Sequence, residues 1–235
     1  MTTLPNSLIP ANDMQRLRTL HQFQLINTTP EPIFDEYVAL TAQLFNLPIS
    51  LLSLVDEQEV FFKANTGLPG LERVARPDSL CSAAILQDDV LSFPDLSAQG
   101  CGLINPEVAE SAGLRFYAGV PLRMADGANI GSLCVIGREA RQIVPAEEML
   151  LREISALVCL TIELRAAYLL RGRPDEWEQA QQKLEALLHE NTAFARYITS
   201  RMGTISVSEQ EAALVSGRLE EMRKVLRRML AEAKI

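Results

Sequence analysis

Apolar residues run through this chain in two periodicities, and each change from one to the other marks an element boundary. From Leu114 to Leu122 the residues are apolar, aromatic or small on both alternations, which predicts a strand covered on both faces. A polar break from Arg123 to Asn129 follows, with Asp126-Gly127 as its turn dipeptide, and Ile130 to Ile136 is a second apolar, β-prone run. An antiparallel hairpin is expected. Gly119 and Gly131 interrupt the two strands, marking a bulge or a place where a ligand or another strand approaches the backbone. Ile49 to Val55 and Val60 to Ala64, around Asp56-Glu57-Gln58, form an earlier hairpin of the same kind.

The helical period surrounds these strands. Asp13 is placed to cap a first helix reaching about Ile26, with Leu17, Leu20 and Phe23 on one face. A second helix begins near Pro32, presents Phe34, Tyr37, Val38, Leu40, Thr41 and Leu44, and stops at Asn46-Leu47-Pro48. Between the hairpins lie an irregular connection from Gly67 to Pro77, a short helix from Ser79 to Leu86, a short strand from Val90 to Phe93, and a helical turn opened by Asn105-Pro106. Pro145-Ala146-Glu147-Glu148 starts a long helix ending about Leu170. Hairpins outnumber alternating βα units, so the fold class is α+β, with a largely antiparallel sheet and helices packed on it.

Gly172-Arg173-Pro174 is the clearest boundary, since it joins a helix terminator to a residue that cannot continue a helix. Beyond it Trp177, Leu184, Leu188, Ala195, Ile198 and Met202 keep a near helical spacing, Gly203 ends that helix, and Ser208-x-x-Glu211 is a capping box that opens another. In the last helix Val215, Leu219, Met222, Leu226 and Met229 step by 4, 3, 4 and 3. Such a stripe wants a partner helix, and a helical hairpin with a narrow seam often completes its core by dimerising, in the manner of a coiled coil. The chain therefore divides into a flexible lead (1–12), a mixed domain (13–171) and a helical hairpin (172–235).

Composition narrows the function. With 235 residues, 48% of them hydrophobic, the chain is long enough for one well-buried domain and an appendage. A formal net charge of −8 argues against a nucleic-acid partner, which would call for clustered lysine and arginine. Cys81, Cys101, Cys134 and Cys159 form no CxxC pair and meet no histidine at ligand spacing, so reduced thiols in a cytoplasmic protein are the simplest account, with no metal site. The start, MTTLPNSLIPAND, lacks the basic and apolar regions of a secretion signal, and the most apolar helical stretch, Ile154 to Ile162, is too short to span a bilayer.

Four blocks carry a resemblance: FDEYVALTAQLFNLPISLLSLVDEQEVFFKANTG, DSLCSAAILQDDVLSFPDLSA, NPEVAESAGLRFYAGVPL and IGSLCVI. Their order and spacing resemble a GAF domain of the bacterial signalling type, over roughly residues 14 to 170. The resemblance implies an antiparallel sheet with helices packed on one face, a small-molecule pocket on the other, and pairing through terminal helices. The implied ligand-binding residues are Asp78, Ser79, Cys81, Phe93, Asp95, Asn105, Arg115, Tyr117 and Cys134. Each has a plain structural alternative: Cys81 and Cys134 as core fillers, Asp95 and Asn105 as turn and cap residues. Arg115 opens a buried strand and needs an anion or carbonyls for its donors, although Asp78 or Asp95 would serve.

Departures from the family pattern matter as well. Tetrapyrrole-binding members attach the chromophore through a cysteine commonly followed by histidine, whereas Cys81 precedes Ser82; bilin and haem are disfavoured and the cofactor is left open. The Asn-Lys…Phe…Asp-Glu set of cyclic-nucleotide members has no match. Cys101-Gly102-Leu103 stands where an aromatic usually precedes the Asn-Pro pair.

Three functions follow. The first is a non-catalytic sensor that binds a small molecule or protein and signals through its terminal helices, as a homodimer or on a partner protein in trans. The second is a thiol enzyme such as free methionine sulfoxide reductase, needing a thiolate and a resolving cysteine among Cys81, Cys101 and Cys134. The third is a degenerate phosphotransfer protein, suggested by His189-Glu190 on a long helix. A solvent-facing histidine is the plainer account of that pair.

Overall fold

The computed structural model describes residues 8–98, 106–202 and 208–234, and side chains within these except those of 106–108 and 201–202. The helices are α1 (Asp13–Gln22), α2 (Pro32–Phe45), α3 (Leu80–Ala84), α4 (Pro106–Ser111), α5 (Pro145–Leu169), α6 (Pro174–Met202) and α7 (Glu209–Ala233). The strands are β1 (Ile49–Val55), β2 (Glu59–Thr66), β3 (Arg73–Ala75), β4 (Leu91–Phe93), β5 (Phe116–Arg123) and β6 (Asn129–Gly137). They form one six-stranded sheet in the order β3-β2-β1-β6-β5-β4, with every neighbouring pair antiparallel. The fold is α+β, as the hydrophobic pattern predicts. Its central strands, β1 and β6, are buried along nearly their whole length, which is why their sequences show no polar face.

Three local expectations change. The connection from Gly67 to Pro77 contains β3, whose Arg73, Val74 and Ala75 pair with Phe61, Val60 and Glu59 at an edge too short and too polar for a strand signal. The first helix stops at Gln22 because Gln24 and Asn27 take left-handed φ values of 49° and 58°. Asp13 does not cap it. Asn12 occupies that position without a side-chain cap bond, while the Asp13 carboxylate accepts from Arg16 Nε at 2.7 Å and from Arg76 Nη1 and Nη2 at 3.1 Å. Arg16 and Arg76 are almost fully buried, and a buried guanidinium needs such a counter-charge.

Helices α2 and α5 cover one face of the sheet, against Leu52, Leu54, Phe116, Ala118, Val120, Leu122, Leu133 and Val135. Helices α6 and α7 form a further layer, α6 on α2 and α7 on α5. The stripes read from the sequence are buried there at Trp177, Leu184, Leu188, Ala195 and Ile198 on α6, and at Val215, Leu219, Met222, Leu226 and Met229 on α7; the Met202 side chain and Gly203 lie outside what is described. The seam expected to seek a second copy is thus covered within the chain, chiefly by α2 and α5.

A buried charge cluster fixes the α6 layer. Glu31, immediately before α2, accepts from Lys63 Nζ of β2 at 2.8 Å, from Arg165 Nε of α5 at 2.9 and 2.8 Å, and from Trp177 Nε1 of α6 at 3.1 Å. Burial raises the Glu31 carboxyl, but the hydrogen bonds and positive charge of Arg165 and Lys63 outweigh it and hold the group below its ordinary value. Lys63 is also lowered, because burial outweighs the help of Glu31. The two-oxygen contact with Arg165 therefore anchors the cluster.

Candidate functional site

The opposite face of the sheet carries a smaller apolar cluster made by Ile49, Leu51, Phe62, Leu80, Cys81, Tyr117, Cys134 and Ile136, under the short helices α3 and α4. Beside it lies a cavity of about 470 Å³, lined by Leu51 and Phe62 of the sheet, the 67–71 loop, Val74, the 78–81 segment, Ala109 to Leu114 in part, Tyr117, Ile136 and Arg138. This is the size of a small-molecule site, apolar apart from a few polar groups.

Each wall has a local cause. The 67–71 loop is held by Asn65, whose Nδ2 donates to Leu68 O at 2.5 Å and Leu71 O at 3.0 Å while its Oδ1 accepts from Leu68 N at 3.1 Å. Gly67 opens it at φ 93°, where an added Cβ would lie 2.1 Å from Pro48 O. Ser79 caps α3, its Oγ accepting from Cys81 N at 3.3 Å. Tyr117 is fully buried and its ring lies back over Gly119, where a Cβ would meet the phenolic oxygen at 2.2 Å. Thus Gly119 leaves room for the tyrosine, whereas Gly131 lets β1 approach: a Cβ there would sit 1.9 Å from Ser53 O.

The sequence-derived residues fall into three groups. Asp78, Ser79, Cys81 and Tyr117 line the cavity together. Cys134 lies beneath the floor, paired across the sheet with Leu51 and Gly119, its Sγ 4.0 Å from Cys81 Sγ, and Phe93 packs on Tyr117 with ring centroids 6.4 Å apart. Asp95 and Arg115 are elsewhere, at a neighbouring depression lined by Leu96, Ser97, Ala109, Glu110, Gly113, Leu114 and Arg115. There Arg115 donates from Nε and Nη2 to the two Asp95 oxygens at 2.8 and 2.6 Å. Arg115 is satisfied by this fork, and the hydrogen bonds from Arg115 and Ser97 hold the Asp95 carboxyl well below the usual carboxylate range. Asn105 and Cys101 lie outside the described residues.

Two contributors are not among the residues named from the sequence as candidate ligands. Arg138 reaches the cavity rim and donates from Nη1 to Ala112 O at 2.8 Å. The apolar 67–71 loop forms one side, and its only sequence signal is the Asn65-Thr66-Gly67 turn beside three apolar residues. His189 is on α6 and remote from these walls, 72% exposed, with Nδ1 3.3 Å from Glu36 Oε2. No helix among the described residues is long and apolar enough to cross a membrane, and no group of three or more metal-ligating side chains occurs among them.

Chemically, the floor is more distinctive than the rim. Ser53 and Ser132 hydroxyls stand 3.0 Å apart beside Cys81, and Tyr117 Oη donates toward Cys81 Sγ at 3.9 Å. The Cys134 thiol, foremost, and the hydroxyls of Ser132, Ser53 and Ser79 push the Cys81 thiol below its ordinary value against the effect of burial. The same contact and burial push Cys134 up. Cys159, on α5 at the other face, is pushed up to about 12 by burial.

Among known proteins, the chain is 37% identical over 132 residues to a cyclic di-GMP phosphodiesterase of Pseudomonas aeruginosa, an alignment spanning 56% of this chain and 22% of that protein. Its fold is similar to the blue-light absorbing form of the Thermosynechococcus elongatus PixJ GAF domain, at a TM-score of 0.51 and 16% identity, covering 71% of this chain and 96% of that one. It also resembles the GAF domain of an Acinetobacter phosphoenolpyruvate-protein phosphotransferase, at a TM-score of 0.47 and 20% identity, covering 63% and 92% of the two chains. The sequence profile of the GAF domain matches residues 29–162, more than half of the chain, from just before Glu31 to two turns short of the end of α5, and the chain belongs to the GAF domain family.

Proposed function

We propose that this protein is a non-catalytic regulatory module that binds a small, largely apolar molecule in the cavity beneath α3 and relays its presence through the sheet to α5, α6 and α7. The observation that carries this reading is the double-sided role of β5. Tyr117 faces the cavity, while Phe116, Ala118, Val120 and Leu122 on the same strand belong to the core under the long helices. Ser155 of α5 adds a direct tie, donating to Pro121 O at 3.0 Å. A ligand that moves Tyr117 thereby acts on the strand that supports α5, and α5 carries α7. Asp78, Ser79, Tyr117 and Arg138 are the polar groups that orient the ligand, and Cys81 contributes to the floor.

In this reading output is delivered in trans, to a signalling protein or a second copy of the chain. Because the seams of α6 and α7 lie on α2 and α5, a second copy would meet their outer surfaces or the hairpin would lift from the domain. The relative from Pseudomonas aeruginosa suggests cyclic di-GMP turnover as the signalling context; the chain spans about a fifth of that protein's length, 22%, and its phosphodiesterase activity is not carried over.

Native mass spectrometry of the purified protein, followed by a thermal-shift screen of small carboxylates, amines and aromatic compounds, tests the reading. A stabilising compound should protect amides of β5 and α7 from hydrogen exchange, and Tyr117→Ala should abolish both effects. Protection confined to α3 and the 67–71 loop would defeat the relay.

A further inference from the structure

The arrangement on the cavity floor points to a use of its own, which does not rest on the cavity having a regulatory ligand. Cys81 and Cys134 are 53 positions apart in sequence, yet their sulfurs stand 4.0 Å apart, with the hydroxyls of Ser53, Ser79, Ser132 and Tyr117 and the Leu51 backbone as polar company. Cys81 lines the cavity while Cys134 is completely covered behind it, so a small molecule in the cavity meets the first sulfur and not the second. We infer that Cys81 and Cys134 form an oxidisable dithiol site, closed to a disulfide by hydrogen peroxide that enters the cavity.

The chemistry balances in two steps. The Cys81 sulfur attacks one oxygen of peroxide, the O–O bond breaks, and Cys81 becomes a sulfenic acid while the departing oxygen takes the thiol proton and leaves as water. The Cys134 sulfur then attacks the Cys81 sulfur, its proton passes to the sulfenic hydroxyl, and a second water leaves. Two thiols have been oxidised by two electrons and one peroxide reduced to two waters. Thiol exchange with a reduced dithiol reverses the bond.

The roles follow from position. Cys81 faces the oxidant and is surrounded by donors that favour its thiolate: the Cys134 thiol and the hydroxyls of Ser132, Ser53 and Ser79. Cys134 is shielded, and the contact with Cys81 and burial keep it protonated, so it is not the first thiol to react and attacks only once the Cys81 sulfur has been oxidised. Closure requires the sulfurs to approach from 4.0 Å to about 2.05 Å, a total movement of roughly 2 Å. Cys134 is fixed in the middle of the sheet between β1 and β5, so α3 supplies the motion. That helix has five residues and is capped by Ser79, and its shift redraws one wall of the cavity. An uncharged oxidant of water size fits the apolar lining, whereas a bulky one would be excluded.

The test uses the reduced 235-residue protein exposed to equimolar hydrogen peroxide under native conditions, then denatured, alkylated and mapped by mass spectrometry. The expected result is loss of two hydrogens, a linked Cys81–Cys134 peptide, alkylated Cys101 and Cys159, and reversal by dithiothreitol. Because the fold brings the sulfurs together, the linked peptide should form at least about tenfold faster than in concentrated urea. Cys134→Ser should leave a sulfenic acid on Cys81 that dimedone traps. Full alkylation of both residues after excess peroxide, a bond from either residue to Cys101, or equal rates in urea would overturn the site, and the wild-type map decides even if the variant does not fold.

Discussion

The two faces of the sheet differ in what has been spent on them. One is covered by α2 and α5 and then by α6 and α7, with a buried cluster in which Glu31 meets three partners, Lys63, Arg165 and Trp177. The other is covered by α3, α4 and a loop, and holds a cavity of about 470 Å³ and a pair of thiols. A single strand, β5, serves both. The lesson is that a sheet supported strongly from one side tolerates an incompletely filled pocket on the other, since the pocket costs packing energy that the helical face supplies.

The largest effect should come from removing the charge at the centre of the helical face. Glu31→Ala leaves Lys63 and Arg165 buried without their counter-charge and Trp177 without its acceptor, and a loss of about 3–5 kcal/mol is expected in urea unfolding. The pH dependence has a definite sign. Glu31 lies below its ordinary value of 4.5 in the folded protein, so its contribution is complete above about pH 4.5 and is lost as pH falls through the lower folded value. Asp13, lowered from 3.8 by Arg76 and Arg16 despite opposing burial, adds to the same acid limb. Unfolding midpoints should therefore be level between pH 7 and 5 with respect to these groups and fall below about 4.5, less steeply in Glu31→Gln.

Next comes the question of whether the terminal helices belong to that face. Leu219→Ala, at a site with no exposure, should cost about 2–5 kcal/mol in one cooperative transition if α7 is part of the domain's core. A separate early transition that absorbs the whole loss would make the hairpin an independent appendage. The sequence predicts the stripe on α7 from its spacing alone, because burial imposes the 3-4 period whatever the partner is. It does not choose between a neighbouring helix, a second copy, or α5, since the stripe records only that a surface is covered.

The cavity face was less legible, for related reasons. Ser79, Cys81 and Tyr117 were found through the family resemblance, and Cys81 and Tyr117 sit in runs whose apolar character reads simply as core. Arg138 was missed, and the 67–71 loop was read only as part of the irregular Gly67 to Pro77 connection, because their contribution depends on how the chain returns over the sheet, through Asn65 and a left-handed Gly67, rather than on any local period. Arg115 drew attention as an arginine beside a buried strand, yet Asp95, 20 positions away, satisfies it at the surface. The proximity of Cys81 to Cys134 is purely tertiary.

Gly119→Ala should be felt on the cavity side first. The added methyl meets Tyr117 Oη, and either the ring swings from Cys81 or the strand shifts, at a cost of about 1–3 kcal/mol. If the faces are coupled through β5, hydrogen exchange in α5 should quicken along with that in α3; faster exchange in α3 alone would separate them.

The smallest effect on stability isolates what the cavity face is for. Tyr117→Phe removes one hydroxyl whose contact with Cys81 Sγ is long, 3.9 Å, and the ring stays packed on Phe93. A net hydrogen bond in a protein contributes about 0.5–1.5 kcal/mol, and a weak one to sulfur should fall at or below the low end. The urea midpoint should hardly move. Any change is then expected in binding of a cavity ligand, whose polar end loses an orienting group while the fold is untouched. A drop in affinity with unchanged stability would separate the work of the two faces, whereas a loss of stability comparable to that of Leu219→Ala would mean that Tyr117 belongs to the supporting core.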